Sequence, residues 1–378
     1  MKHTTVMAGR PSQNASLFRR IGLPLGDPAA WIDHGGRTTA IVRDLEMDRV
    51  RQIARTDSVV CPADHAPPTG LSADRETATA QSLVQWLRQH RIERVTVDRT
   101  LPKIYDWHLD QAEIATVYDD QFGVTDRRQK TAAEIDSLRA AQQITEAVIR
   151  RVCERIATAS VDDDGHLIVD NEVLTSENVR QFAAIEFLRR DCTMSHGGIV
   201  AGPPHSGDCH HAGTGPLRSG VPIIIDLFPH HDANRFWGDC TRTVVHGRPT
   251  DAVVAMHAAV IAAKSAATEQ LRPGRTAESV HNAATDVLLS ANYPLHRGTI
   301  TDAPSIQHGT GHGVGLDLHE PILLDEGGGE ILDGEVFTVE PGLYGRRDGG
   351  VRVEDMIVAT EEGPLNLNNL PQGLNWRP

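Results

Sequence analysis

Apolar positions recur in short runs over the first third of the chain, and they predict a small α/β region. TTAIV and SVVC read as strands, TATAQSLVQWLRQHRI as a helix on the spacing of Leu83, Trp86 and Leu87, and ERVTVD as a further strand. Trp86 and Trp107 are expected in its core. Residues 1 to about 35 are polar with Pro and Gly, so their first part is expected to be a loosely held arm. The polar stretch DDQFGVTDRRQK then marks a boundary, dividing an N-terminal domain, 1–125, from a larger one, 126–378.

Beyond that break the period changes. Thr131 with Glu134 forms a capping box, and Ile144, Val148, Val152 and Ile156 mark the buried stripe of a long helix. A second helix starts at a cap on Thr175 or Ser176 and runs to about Arg190. A long loop follows, HGGIVAGPPHSGDCHHAGTGPLRSG, and loops of that length in compact domains are often functional. VPIIID and CTRTVV read as a strand pair joined by a loop with Pro229, Asn234 and Gly238. Helices are predicted from Thr250 to before Pro273-Gly274 and from Thr276 to about Ala291. Strands EVFTVEPG and VRVEDMIVAT close the pattern. Helices, strand pair, helices, strands is an α+β order, with helices on one face of a largely antiparallel sheet.

Composition narrows the function. A net charge of -14 disfavours a nucleic-acid partner, which needs basic patches. The five cysteines, irregularly spaced, fit reduced thiols in a cytoplasm better than a disulfide framework. The N-terminus lacks the apolar core of a secretory signal, and AVVAMHAAVIAA is too short for a bilayer, so no membrane role is expected.

The chemistry lies in acids at strand ends. VPIIID ends on Asp226, and Asp239 precedes CTRTVV. Two carboxylates at the end of apolar runs, brought together by one hairpin, repel each other and lose hydration unless a cation lies between them. Glu340 in FTVEPG and Glu354 in VRVED add two acids, and His312 in GTGHGVG adds an imidazole between small residues that would let a ligand approach. Four carboxylates balance two divalent ions, and oxygen-rich ligation with one imidazole suits Mn, Co, Fe or Zn. On period-two geometry Arg352 faces the same side as Glu354 and is placed to orient a ligand carboxylate.

The run from GDCTRT through GTGHGVGLDLHEP and FTVEPGLY to GVRVEDMIVAT resembles the metal-dependent aminopeptidase/prolidase family with the pita-bread fold, over about residues 125–365. The resemblance implies a pita-bread catalytic domain behind a smaller N-terminal α/β accessory domain. It implies that Asp226, Asp239, His312, Glu340 and Glu354 bind two divalent metal ions, manganese first, with Asp239 and Glu354 bridging. It implies substrate histidines at His210 and His319 and a further histidine at His308. The implied reaction is removal of an N-terminal residue preceding proline by a metal-bridging hydroxide, with Glu340 as general base and then acid, and His319 stabilising the oxyanion. The substrate is then a peptide, of Xaa-Pro type, and the expected assembly a homodimer.

Two departures bear on the pocket. Phe228 stands where the family has Gly, and the loop from Asp226 to Asp239 is longer than the commonest form. His211 competes with His210 for the substrate role, with Thr214 favouring His210. The other readings are an Xaa-Pro dipeptidase, a metal-free creatinase-like amidinohydrolase and a non-catalytic binding protein; members of the last two kinds lose ligands that this chain keeps.

Overall fold

The computed structural model describes residues 3–377. The chain forms two compact units, divided between Arg127 and Arg128.

The first unit is a six-stranded sheet with the strands in the order Ser58–Val60, Arg37–Ile41, Ala29–His34, Thr4–Gly9, Arg94–Val97, Ala115–Tyr118. The expected N-terminal arm is instead one of its inner strands. Thr4–Gly9 pairs antiparallel with Ala29–His34 and parallel with Arg94–Val97, and Val6, Met7 and Ala8 are fully buried. A three-residue apolar run between polar neighbours is too short for a periodicity to register, yet it suffices for an inner strand covered on both faces. Trp86 is buried as expected, but Trp107 is 51% exposed. Its helix, Lys103–Gln111, buries Tyr105 and Leu109, four apart on one face, and Trp107 falls midway between them on the opposite side.

The second unit has two halves, each a helix pair packed on antiparallel strands. In the first, Ala132–Ala157 and Ser176–Leu188 cover the sheet Gly198–Ala201, Pro222–Leu227, Cys240–Val245. In the second, Asp251–Gln270 and Ala277–Ser290 cover the sheet that includes Gly311–Gly313, Val336–Val339 and Asp355–Val358. The long helix opens on the capping box, Thr131 accepting from Glu134 N and Glu134 from Thr131 N, worth about 1 kcal/mol. The side chains of Thr175, Thr250 and Thr276 cap the other three helices. Cys240 lies fully buried in the first core.

VRVEDMIVAT is not one strand. Gly349–Arg352 pairs with Gly342–Gly345, whereas Asp355–Val358 pairs with Val336–Val339. Between them the chain crosses from one sheet to another, and Glu354 N donates to Thr241 O at 3.1 Å. A buried ionic cluster fixes this crossing. Arg242 donates to Glu354 O at 2.5 Å and to Asp355 Oδ1 at 2.8 Å, and Lys264 bonds the other oxygen of Asp355.

Candidate metal centre

Between the two halves lies a cavity of about 600 Å³, lined by Asp226, Asp239, His312, Glu340 and Glu354 together with His210, His308, His319 and Arg352. Every sequence-predicted site residue therefore reaches one space. Asp226 belongs to Pro222–Leu227 and His312 to Gly311–Gly313, while Asp239, Glu340 and Glu354 stand just outside strand ends. Arg352 and Glu354 share the cavity although no continuous strand joins them, because the chain turns between sheets at Val353.

Ligand atoms of Asp239, His312 and Glu354 lie within 4.8 Å of one another. His312 Nε2 is 3.6 Å from Asp239 Oδ2 and 3.6 Å from Glu340 Oε1. On the other side of the ring, Nδ1 is 3.0 Å from Gly313 O, so the bound proton sits on Nδ1 and the Nε2 lone pair faces the acids. Burial holds the imidazole down at about 4 and hence neutral. The glycines beside His312 do not open room for a ligand. A Cβ on Gly311 would meet Thr338 O at 2.0 Å, and one on Gly313 would meet Glu320 O at 2.8 Å. They let the neighbouring strands close on His312.

The acids are crowded. Burial raises Asp239, with Glu354, Asp226 and Glu340 adding repulsion, and burial likewise raises Glu354. Glu340 is pushed up to about 7 by burial, with Arg352 opposing and Asp226 reinforcing the shift. Asp226 Oδ2 accepts from Arg352, while its Oδ1 is buried with no hydrogen-bond partner. An orphaned carboxylate oxygen, three repelling acids and one oriented imidazole are the donor set that a hard-to-borderline divalent cation satisfies, so these residues fit such ions.

Supporting groups that sequence reasoning missed hold this set. Gln142, on the long helix, donates to Asp239 O at 2.7 Å and accepts from Asp239 N at 2.8 Å. Its signal was a polar residue inside the stripe Leu138, Gln142, Thr145, Ile149. Gly238 lets that helix approach, since a Cβ there would meet Thr145 Oγ1 at 2.2 Å. Thr241 Oγ1 donates to Glu354 Oε2 at 2.8 Å and accepts from Arg352 Nε at 3.1 Å. Tyr344 Oη is 2.6 Å from His308 Nε2 and accepts from Arg352 Nη1 at 3.0 Å. His308 Nδ1 lies 2.7 Å from Gly309 O, and burial holds its pKa at about 3.

His319 packs edge-on against His312, with ring centroids 4.3 Å apart. Its loop is anchored by the buried Lys130–Glu320 pair at 2.9 Å. His210 lines the cavity; His211 instead stacks on His205 and accepts from Gly213 N. Phe228 forms part of the wall. His230 and His231, expected in a loop, form a two-residue strand against Cys192–Thr193.

The sequence profile of metallopeptidase family M24 matches residues 136–361. A probable dipeptidase PepE of Mycobacterium bovis is 32% identical over 250 residues, which are 66% of this chain and 60% of that relative's length. The prolidase of Pyrococcus horikoshii OT3 superimposes with a TM-score of 0.76 at 20% identity, over 99% of this chain and 95% of that one. The X-Pro aminopeptidase of Thermotoga maritima MSB8 gives 0.78 at 19% identity, over 98% and 97%. At these identities the two structures establish the pita-bread fold.

Proposed function

This chain belongs to metallopeptidase family M24, and from that premise we propose that it is a two-metal exopeptidase that removes the residue preceding proline from the N-terminus of a peptide. The observation that carries this reading is the convergence of Asp226, Asp239, His312, Glu340 and Glu354 on one cavity, with Asp226 Oδ1 left without a partner. These five residues would hold the ions, with Asp239, His312 and Glu354 bringing their ligand atoms within 4.8 Å of one another. When bound, such ions make water nucleophilic near neutral pH and polarise a carbonyl.

The chain's own groups supply the rest. In this reading Glu340 takes a proton from the attacking water and returns it to the leaving nitrogen. His319 and His210, exposed to the same space, hydrogen-bond the substrate on either side of the scissile bond, His319 at the developing oxyanion. His308, neutral, with Tyr344 positions Arg352, which in turn holds Asp226. The free substrate amine is drawn to the acids, which limits cleavage to the first residue.

The second reading is an Xaa-Pro dipeptidase, favoured by relatives such as the Xaa-Pro dipeptidase of Pyrococcus furiosus, 27% identical over 246 residues. Manganese as the metal, a homodimer and a cytoplasmic site belong to the same proposal. The five free cysteines, four of them buried, support the reducing compartment. Among the described residues no helix is long and apolar enough to cross a membrane.

Manganese-supplemented hydrolysis of Ala-Pro and Ala-Pro-Ala, beside a chelated control, tests this. Chelator-sensitive cleavage of the tripeptide alone establishes the aminopeptidase, and of the dipeptide alone the dipeptidase. Two bound metals with no cleavage of either would overturn proline specificity, and absence of bound metal would overturn the whole reading.

A further inference from the structure

One side chain in the cavity has no part in the chemistry above. His196 lines the same space as His210 and His319. Its ring stacks on Trp237, with centroids 5.4 Å apart and planes 25° from parallel. Trp237 is itself fixed: Nε1 donates to Leu316 O at 3.1 Å, and His230 packs edge-on at 5.0 Å. The indole is thus a rigid platform that sets the imidazole plane. Neither ring nitrogen of His196 has a hydrogen-bond partner among the described residues, and the side chain is exposed to solvent.

The cavity therefore holds two chemically opposite sets of groups. One is the cluster of carboxylates that attracts cations, including a substrate's free amine. The other presents imidazole N–H groups without a protein acceptor. A donor edge with no acceptor, held at fixed orientation on a packed ring, is suited to an anionic oxygen rather than to an apolar side chain.

Resting on the exopeptidase reading, we propose that His196 is a specificity-determining residue that hydrogen-bonds a carboxylate of the substrate downstream of the scissile bond. The ligand chemistry is a carboxylate. It is supplied by the α-carboxylate of a dipeptide or by an acidic side chain at the third position, after the proline, of a longer peptide. A neutral imidazole donates this bond as well as a protonated one, so the proposal needs no titration.

The test compares metal-loaded wild type with His196→Phe, which keeps the stacking on Trp237 without the donor, and His196→Gln, which keeps a donor without the ring. Kinetics are measured on Ala-Pro and Ala-Pro amide, and on Ala-Pro-Glu amide and Ala-Pro-Gln amide. The Phe variant should lose about tenfold or more in KM on Ala-Pro beyond any change on its amide, and the Gln variant should recover part of this. The same loss confined to Ala-Pro-Glu amide against Ala-Pro-Gln amide assigns the carboxylate to a side chain. Equal changes within both pairs overturn the proposal. Should metal-loaded wild type cleave none of the four, the exopeptidase reading fails. The His196 inference is then decided by calorimetric titration of the same peptides: weaker binding of the acidic member by the Phe variant supports it, and equal binding overturns it.

Discussion

Gln142 grips Asp239 by its main chain: Nε2 to Asp239 O at 2.7 Å and Oε1 to Asp239 N at 2.8 Å, across 97 positions of sequence. Both bonds are buried, so the long helix sets where the Asp239 carboxylate stands. Replacing Gln142 by Leu leaves two buried main-chain groups unpaired, each costing about 1–3 kcal/mol. Outer partners of ligands also tune affinity, and a loss of about 10–100-fold in metal binding is expected. Metal titration of the purified variant checks this; unchanged affinity with lowered stability would leave Gln142 a purely structural role.

Glu340→Gln should lower kcat by about 10²–10⁴-fold, the usual contribution of a positioned acid–base group. Measured at saturating metal, the loss isolates proton transfer from ligation. Activity within a few-fold of wild type would remove Glu340 from its assigned role.

Chelated protein should respond to pH in a characteristic way. The Glu340 carboxyl is raised from 4.5 to about 7, so its neutral form is favoured by the fold. Stability from such a group is fully present below its unfolded value and is lost as pH rises through the folded one. Thermal midpoints of metal-free protein should therefore fall between about pH 4.5 and 7, with the raised Asp239 and Glu354 contributing in the same direction. Metal-loaded protein should lack this decline. A metal-induced gain in midpoint that shrinks as pH rises would contradict the crowding of acids.

Lys130→Met should destabilise the protein by about 3–5 kcal/mol, because it takes the cation away from the buried Glu320 carboxylate. Both side chains are almost fully enclosed, at 2% and 1% exposure. Denaturant midpoints measure the effect. Replacing both partners with apolar residues of similar volume should recover most of it.

The site is legible in the sequence where its residues break a local rule. Asp226 ends an apolar run, and His312 sits between glycines, so each stands out from its own segment. What stays hidden acts over distance. Gln142 and Tyr344 look ordinary in their own segments, since their partners are Asp239 and the pair His308 and Arg352. His196 is one more histidine in a loop rich in them, and only its seat on Trp237 distinguishes it. The glycines beside His312 mark the right place for a different reason: strand oxygens, not a ligand, occupy the space above them. In the first unit, Thr4–Gly9 carries no signal because its burial comes from strands and helices on both sides rather than from an alternation of its own.

The crossing of the chain between sheets at Glu354 has a bearing on how activity is acquired. Asp226 and Asp239 come from one half of the unit, and His312, Glu340 and Glu354 from the other. Neither half holds the complete proposed ligand set, and Glu354 is placed only when Thr241 and Arg242 of the opposite half grip its main chain. On the proposed reading, a partly folded intermediate would thus be inert, and peptidase activity would arise only once the two halves have docked. Metal capture can then serve as a stopwatch for that event, separating collapsed chains from finished ones in a refolding experiment.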